Sequence, residues 1–154
     1  MTVPVKRFSK IQVITSPFGM RTLRGKRRLH RGIDLRSKRF QIGFGYVPRW
    51  GLQDIVFSED SQILRSGTDR KGNDFLVVRP LENTEYNEIK YIHVTLVDRV
   101  KVSGRKFKKY DLIGKTQIKG SSTAHHLHFE TWTGKEPVDP VDYLCKMGVE
   151  WRMK

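Results

Sequence analysis

Cysteine is almost missing from this 154-residue chain. Cys145 stands alone, which excludes an internal disulfide and any cysteine-based zinc finger. No apolar run is long enough to cross a bilayer as a helix. The opening Met1-Thr2-Val3-Pro4-Val5-Lys6-Arg7 lacks the apolar core of a secretory signal, so the chain is expected to be made in a cytoplasm and not to export itself by that route. Amphipathic helical patterning is nearly absent as well. What remains is a series of short alternating runs divided by turn glycines, which predicts a mainly antiparallel β domain. The length suits one domain with one core, residues 1–154.

Acids are also scarce: 16 Asp and Glu face 30 Lys and Arg, a formal net charge of +14. The cations gather in Arg21 to Arg39 and Arg99 to Lys119, each holding a single acid, Asp34 and Asp111. Such stretches attract polyanions through counterion release and long-range steering. Nucleic acid is one candidate partner, and a merely solvated basic face gives the same composition. Charge does not choose between them.

Histidines are few, but they are ordered. Ser121-Ser122-Thr123-Ala124-His125-His126-Leu127-His128-Phe129-Glu130 leads from a small-residue loop into a predicted strand, His126 to Trp132. Alternation puts His126, His128 and Glu130 on one face and turns Leu127 and Phe129 into a core. Two neighbouring imidazoles on a buried strand would be desolvated, and repulsion would oppose charging both. A metal ion accepts them neutral. His125, on the opposite face, is left out of the site.

A matching half stands near the other end, in His30-Arg31-Gly32-Ile33-Asp34-Leu35. The four-residue spacing puts His30 and Asp34 on the same side of a strand, and equally of a helical turn. Gly32 between them is expected to leave room for an ion or substrate. His30, Asp34 and His128 supply three N/O ligands, the number a catalytic zinc site uses while keeping a fourth position for water.

These residues resemble the lysostaphin-type zinc metalloendopeptidases that cleave peptidoglycan peptides. The likeness extends to Ser16-Pro17-Phe18-Gly19-Met20-Arg21 after a strand at Ile11 to Thr15, to Tyr91-Ile92-His93, and to Val100 to Gly114. It also takes in Gly120 to Glu130 and Pro137-Val138-Asp139-Pro140, in the family's order, and covers a core of about 12–144. It implies a large sheet beside a small one, with zinc in a loop-walled groove held by His30, Asp34 and His128. It further implies His93 and His126 as catalytic non-ligands, their division of labour open. Glu130 is expected to orient a ligand imidazole from behind.

The implied partner is peptidoglycan, with anionic wall polymers answering the charge, a monomer acting at the wall or periplasm, and no nucleic acid. A wall-degrading enzyme without a leader suggests a phage lysis or virion protein, or a mature fragment. Two other readings are an inactive wall-binding scaffold of the same fold and a basic nucleic-acid-binding domain. The first is expected to lose ligands or catalytic histidines, and none is lost; the second leaves the ordered histidines unexplained.

Departures from the family pattern fall at Ser37 to Gly51, where Gly-Thr-Pro-Val-x-Ala is replaced, at Tyr110 in place of glycine, and at His125 in place of proline. Tyr46 and Trp50 are candidates for groove walls or ordinary packing. Elsewhere, Arg21 to Leu29 is read as a surface loop at the groove rim. Glu88 to Val97 is read as one strand with Tyr91, His93 and Thr95 on its polar face, and Leu144 to Lys154 as a terminal helix.

Overall fold

The structure is a computed structural model that describes residues 11–37, 45–46, 54–116 and 126–154. Its strands begin with β1 (Ile11–Ser16), β2 (Gly19–Leu23), β3 (Lys26–His30) and β4 (Ile33–Ser37). There follow β5 (Gly45–Tyr46), β6 (Asp54–Val56), β7 (Ser61–Thr68), β8 (Asp74–Pro80), β9 (Glu88–Ile92) and β10 (Val94–Leu96). The last are β11 (Lys106–Phe107), β12 (Leu112–Thr116), β13 (Leu127–Thr133), β14 (Glu136–Val138) and β15 (Glu150–Met153). A 3-10 turn spans Asp98–Lys101, and one helix, α1, spans Pro140–Lys146.

The described strands form a nine-stranded sheet, β11-β7-β8-β9-β13-β4-β1-β15 with β14 paired to β13. Beside it lie a four-stranded sheet, β10-β12-β6-β5, and a separate β2-β3 ribbon. Pairing is antiparallel except between β1 and β15. The expected mainly β class, one large sheet beside a small one, is what the chain adopts.

Strand β13 runs through the middle of the large sheet because it is apolar on one face and polar on the other. Leu127 and Phe129 are fully buried and pair in register with Leu35 and Ile33 of β4, themselves fully buried. These two apolar pairs fix the register between them, and it sets His128 directly opposite Asp34. A one-residue slip would turn Asp34 into the core, so apolar packing is what pins the polar pair. Burying each such side chain contributes about 1.5–3 kcal/mol.

Behind that face, Tyr91, Phe57, Phe129 and Tyr143 pack ring against ring at 5.7–6.2 Å where Phe57 meets Tyr91 and Phe129 meets Tyr143. Their hydroxyls are satisfied: Ser58 Oγ lies 3.0 Å from Tyr91 Oη and 2.7 Å from Tyr143 Oη, and Tyr143 donates to Glu59. This buried network ties α1 to the sheet.

Four readings of the sequence need correction. Glu88 to Val97 is not one strand, because His93 has a φ of 67° and bends the chain from β9 in the large sheet to β10 in the small one. Tyr91 therefore sits in the core, fully buried, and does not share a face with His93. Arg21 to Leu29 is not a loop but most of the β2-β3 hairpin, closed by Arg24 and Gly25 at φ 53° and 77°. Two consecutive positive φ values are what a tight two-residue hairpin turn requires.

The C-terminal region divides differently from the expected helix. Asp139 caps α1 by accepting from Val141 N–H at 3.0 Å, with Pro140 in the first turn, so the helix starts four residues early. It ends at Lys146, Gly148 turns the chain at φ 70°, and β15 returns to pair with β1. Tyr110 takes a φ of 73°, so it keeps the backbone shape that a glycine would hold there. Ser121 to His125 and most of Ser37 to Gly51, Trp50 included, lie outside the described residues.

Candidate metal centre

His30, Asp34 and His128 come together from three strands. Each offers one ligand atom, and these atoms all lie within 4.8 Å of one another. His30 ends β3, Asp34 is the second residue of β4, and His128 is the second of β13. The turn between β3 and β4 brings the first two together, and the β4-β13 register adds the third.

Each imidazole is aimed by a bond on its far side. His30 Nδ1 lies 2.7 Å from the Pro17 carbonyl, which can only accept, so Nδ1 donates there and Nε2 is turned toward Asp34. That Nε2 is 3.5 Å from Asp34 Oδ1. His128 Nε2 lies 2.8 Å from Glu130 Oε2, and its Nδ1 lies 3.0 Å from the same Asp34 oxygen. Glu130 is held in turn by Trp132, whose Nε1–H donates to Oε1 at 2.7 Å. Lys90 Nζ sits 4.1 Å above the Trp132 ring.

The charges follow from this geometry. Burial pushes the Asp34 carboxyl up, but bonds with His128 and His30 overrule it and hold the group well below the usual carboxylate range. Burial likewise disfavours charging His128, yet its bonds to Asp34 and Glu130 raise its pKa to about 9. Glu130 is buried too, and the His128 ring keeps it ionised by lowering its pKa. Two carboxylates thus bracket one imidazole. That bracket favours a proton on His128, and an ion held at Nδ1 would displace it.

His93 and His126 stand beside the cluster without joining it. Their rings are 5.9 Å apart, and His93 lies 6.1 Å from the His128 ring. His126 Nε2 is 3.7 Å from the second oxygen of Asp34. His93 Nδ1 is buried with no hydrogen-bond partner among the described residues. Burial, then repulsion from His128 and His126, lowers its pKa to about 4, which leaves the ring neutral at ordinary pH.

Gly32 has a packing role: a Cβ there would lie 2.2 Å from the Phe129 carbonyl oxygen and 2.8 Å from Glu130 Cγ. Glycine is needed because β13 passes against the β3-β4 turn. The donor set suits zinc, with two imidazole nitrogens and an ionised carboxylate converging, once the His128 Nδ1 proton is displaced.

Two contributors escaped the sequence reading. Pro17 acts through its carbonyl, which no residue type announces. Trp132 shares the face of His128 and Glu130 by even spacing, a signal that was present but read only as strand propensity.

The sequence matches no family model and no curated protein. Solved structures do share the fold. A zinc containing peptidase from Vibrio cholerae aligns at 22% identity over 90% of this chain, TM-score 0.62. This chain spans 37% of that peptidase. The catalytic domain of the antimicrobial peptidase lysostaphin from Staphylococcus simulans aligns at 21% identity over 84% of this chain and 89% of its own, TM-score 0.61. A chain of the SpoIIQ-SpoIIIAH pore forming complex aligns at 18% identity over 92% of this chain and 87% of its own, TM-score 0.62. The fold is therefore that of lysostaphin-type peptidase domains, and the pore-complex chain carries it too. Among the described residues no helix is long and apolar enough to cross a membrane.

Proposed function

We propose that this chain is a zinc-dependent endopeptidase that hydrolyses peptide bonds in bacterial peptidoglycan, in its stem peptides or cross-bridges. One observation carries the reading: His30, Asp34 and His128, from three separate strands, converge within 4.8 Å with their far sides anchored. The shared fold with peptidases supports it. His30 Nε2, an Asp34 oxygen and His128 Nδ1 would hold the ion. Bound zinc supplies a Lewis acid that lowers the pKa of water from ~15.7 to ~7 and polarises a carbonyl.

The chain's own part is proton handling and charge stabilisation. His93, neutral because its pKa is about 4, has one N–H to donate and carries no charge. His126, beside the free oxygen of Asp34, can take up a proton and be stabilised by that carboxylate. In this role His126 serves as base, and both rings line the position where the tetrahedral oxyanion develops. Glu130 fixes the ring of His128, and Trp132 fixes Glu130.

Residues 1–154 would act as a single peptidase domain, a monomer working at the wall or periplasm, as a phage lysis or virion-associated enzyme would. Its basic stretches would bind anionic wall polymers. Binding to intact walls should then weaken as salt rises, while cleavage of a short soluble muropeptide weakens much less. Neutralising Lys106, Lys108 and Lys109 should flatten that salt dependence.

A second reading is favoured by the pore-complex neighbour: a non-catalytic scaffold of the same fold. Digesting purified peptidoglycan and identifying the new ends by mass spectrometry separates the two. New amino termini that vanish on removing zinc support the enzyme, and intact walls after full zinc loading exclude it.

A further inference from the structure

The β2-β3 hairpin carries Arg21, Arg24, Lys26, Arg27 and Arg28, with Arg31 just beyond, and no acid lies between residues 17 and 33. Among the described residues none of these cations is in an ion pair. The ribbon is exposed from Met20 to Leu29 wherever burial is described, so packing does not call for the charges. Like charges crowded on a small ribbon repel, and an anionic ligand relieves that repulsion.

The register sorts the cations by face. Residues directly opposite on antiparallel strands share a side, so Gly19 and His30 define one face, and Arg21 with Arg28 lies on it too. Met20, Leu29, Thr22 and Arg27 occupy the other. Arg28 precedes His30 by two residues, roughly 7 Å along the strand. Arg21 is held where it matters: its Nη1 donates to Ser16 Oγ at 2.7 Å, and Ser16 is the strand partner of Asp34. One edge of that guanidinium is thus fixed beside the metal strand while its other donors remain open.

We infer that Arg21 and Arg28 form an anion subsite beside the His30, Asp34 and His128 cluster, which receives a carboxylate of the substrate peptide. This rests on the peptidase reading above. The planar guanidinium fork matches a carboxylate through two parallel bonds. An extended peptide advances at most ~3.3–3.6 Å per residue, so the carboxylate belongs about two residues from the bond that is cut. A long polyanion would engage both faces and the tip of the hairpin; a single carboxylate uses the two inner-face cations nearest His30, Arg21 and Arg28, with Lys26 on the same face farther out.

The test uses zinc-loaded protein and matched soluble muropeptides whose side carboxyl groups are free or amidated. Wild type should favour the free acid by roughly tenfold in kcat/KM, expressed mainly in KM. In Arg21→Gln and Arg28→Gln that ratio should collapse toward one, with partial recovery in Arg28→Lys. A purely structural role would lower both peptides equally and leave the ratio intact. An unchanged ratio in the double variant overturns the inference, as does wild type that ignores amidation. Loss of wall or DNA binding in these variants with the ratio unchanged would make the hairpin a polyanion surface instead. Should wild type cleave neither peptide, the peptidase reading fails by itself, and calorimetric binding of the same two peptides decides the subsite. A Kd preference for the free acid that both variants abolish sustains it; equal Kd values overturn it.

Discussion

Asp34 and His128 are 94 residues apart in sequence, yet they face each other across adjacent strands with Oδ1 and Nδ1 at 3.0 Å. Apolar neighbours on both sides enforce the contact, so either residue can be replaced while the register holds. His128→Ala and Asp34→Ala should therefore fold, and each should lose both zinc and activity. Metal analysis of the purified protein should give about one zinc per wild-type chain. Full activity in the metal-free protein would refute the mechanism.

His126→Ala and His93→Ala should retain the metal and lose turnover by about 10²–10⁴-fold, the usual contribution of a positioned acid or base. Metal content and turnover must be read on the same preparation. If His126→Ala strips zinc and His128→Ala does not, the ligand assignment is reversed.

Gly32→Ala is a packing test that leaves every ligand in place. Its Cβ would sit 2.2 Å from a backbone oxygen of β13, which cannot rotate away. Overpacking of this kind costs about 1–3 kcal/mol, a fall in Tm of roughly 3–10 °C. A melting temperature equal to wild type would mean that the two strands lie farther apart than 2.2 Å allows.

Removing zinc should give stability an inverted pH dependence. His128 has its pKa raised from 6.5 to about 9, so between those values the folded metal-free chain binds more protons than the unfolded one. Its contribution is complete below about pH 6.5 and is lost as pH rises through about 9. Thermal melts of chelated protein should fall over that window, and the zinc-loaded protein should not share the fall from this source. A flat profile in the chelated protein would argue against the proton between the two carboxylates.

Much of the site was legible because its chemistry lies in side chains at even spacing. His126, His128 and Glu130 share a face as alternation requires, and His30 lies near Asp34 although a strand end and a turn separate them. Less legible was whatever depends on the backbone. The hairpin has no apolar alternation strong enough to overcome its run of arginines, and its turn is Arg24-Gly25 rather than Asn-Gly. The bend at His93 breaks an apparently continuous alternating strand without glycine or proline to mark it. Leu144 to Lys154 offered no hint of β15, since that strand exists only by pairing with β1, at the far end of the sequence.

The bend at His93 also bears on why a histidine is there at all. Its left-handed backbone costs of order 1–2 kcal/mol that glycine would not incur. Its buried Nδ1 carries a further desolvation penalty. Folding alone would be better served by a smaller, more permissive residue at this corner. The molecule thus gives up some stability at this corner. His93→Gly should relax the backbone at this corner while removing a buried imidazole from beside the cluster.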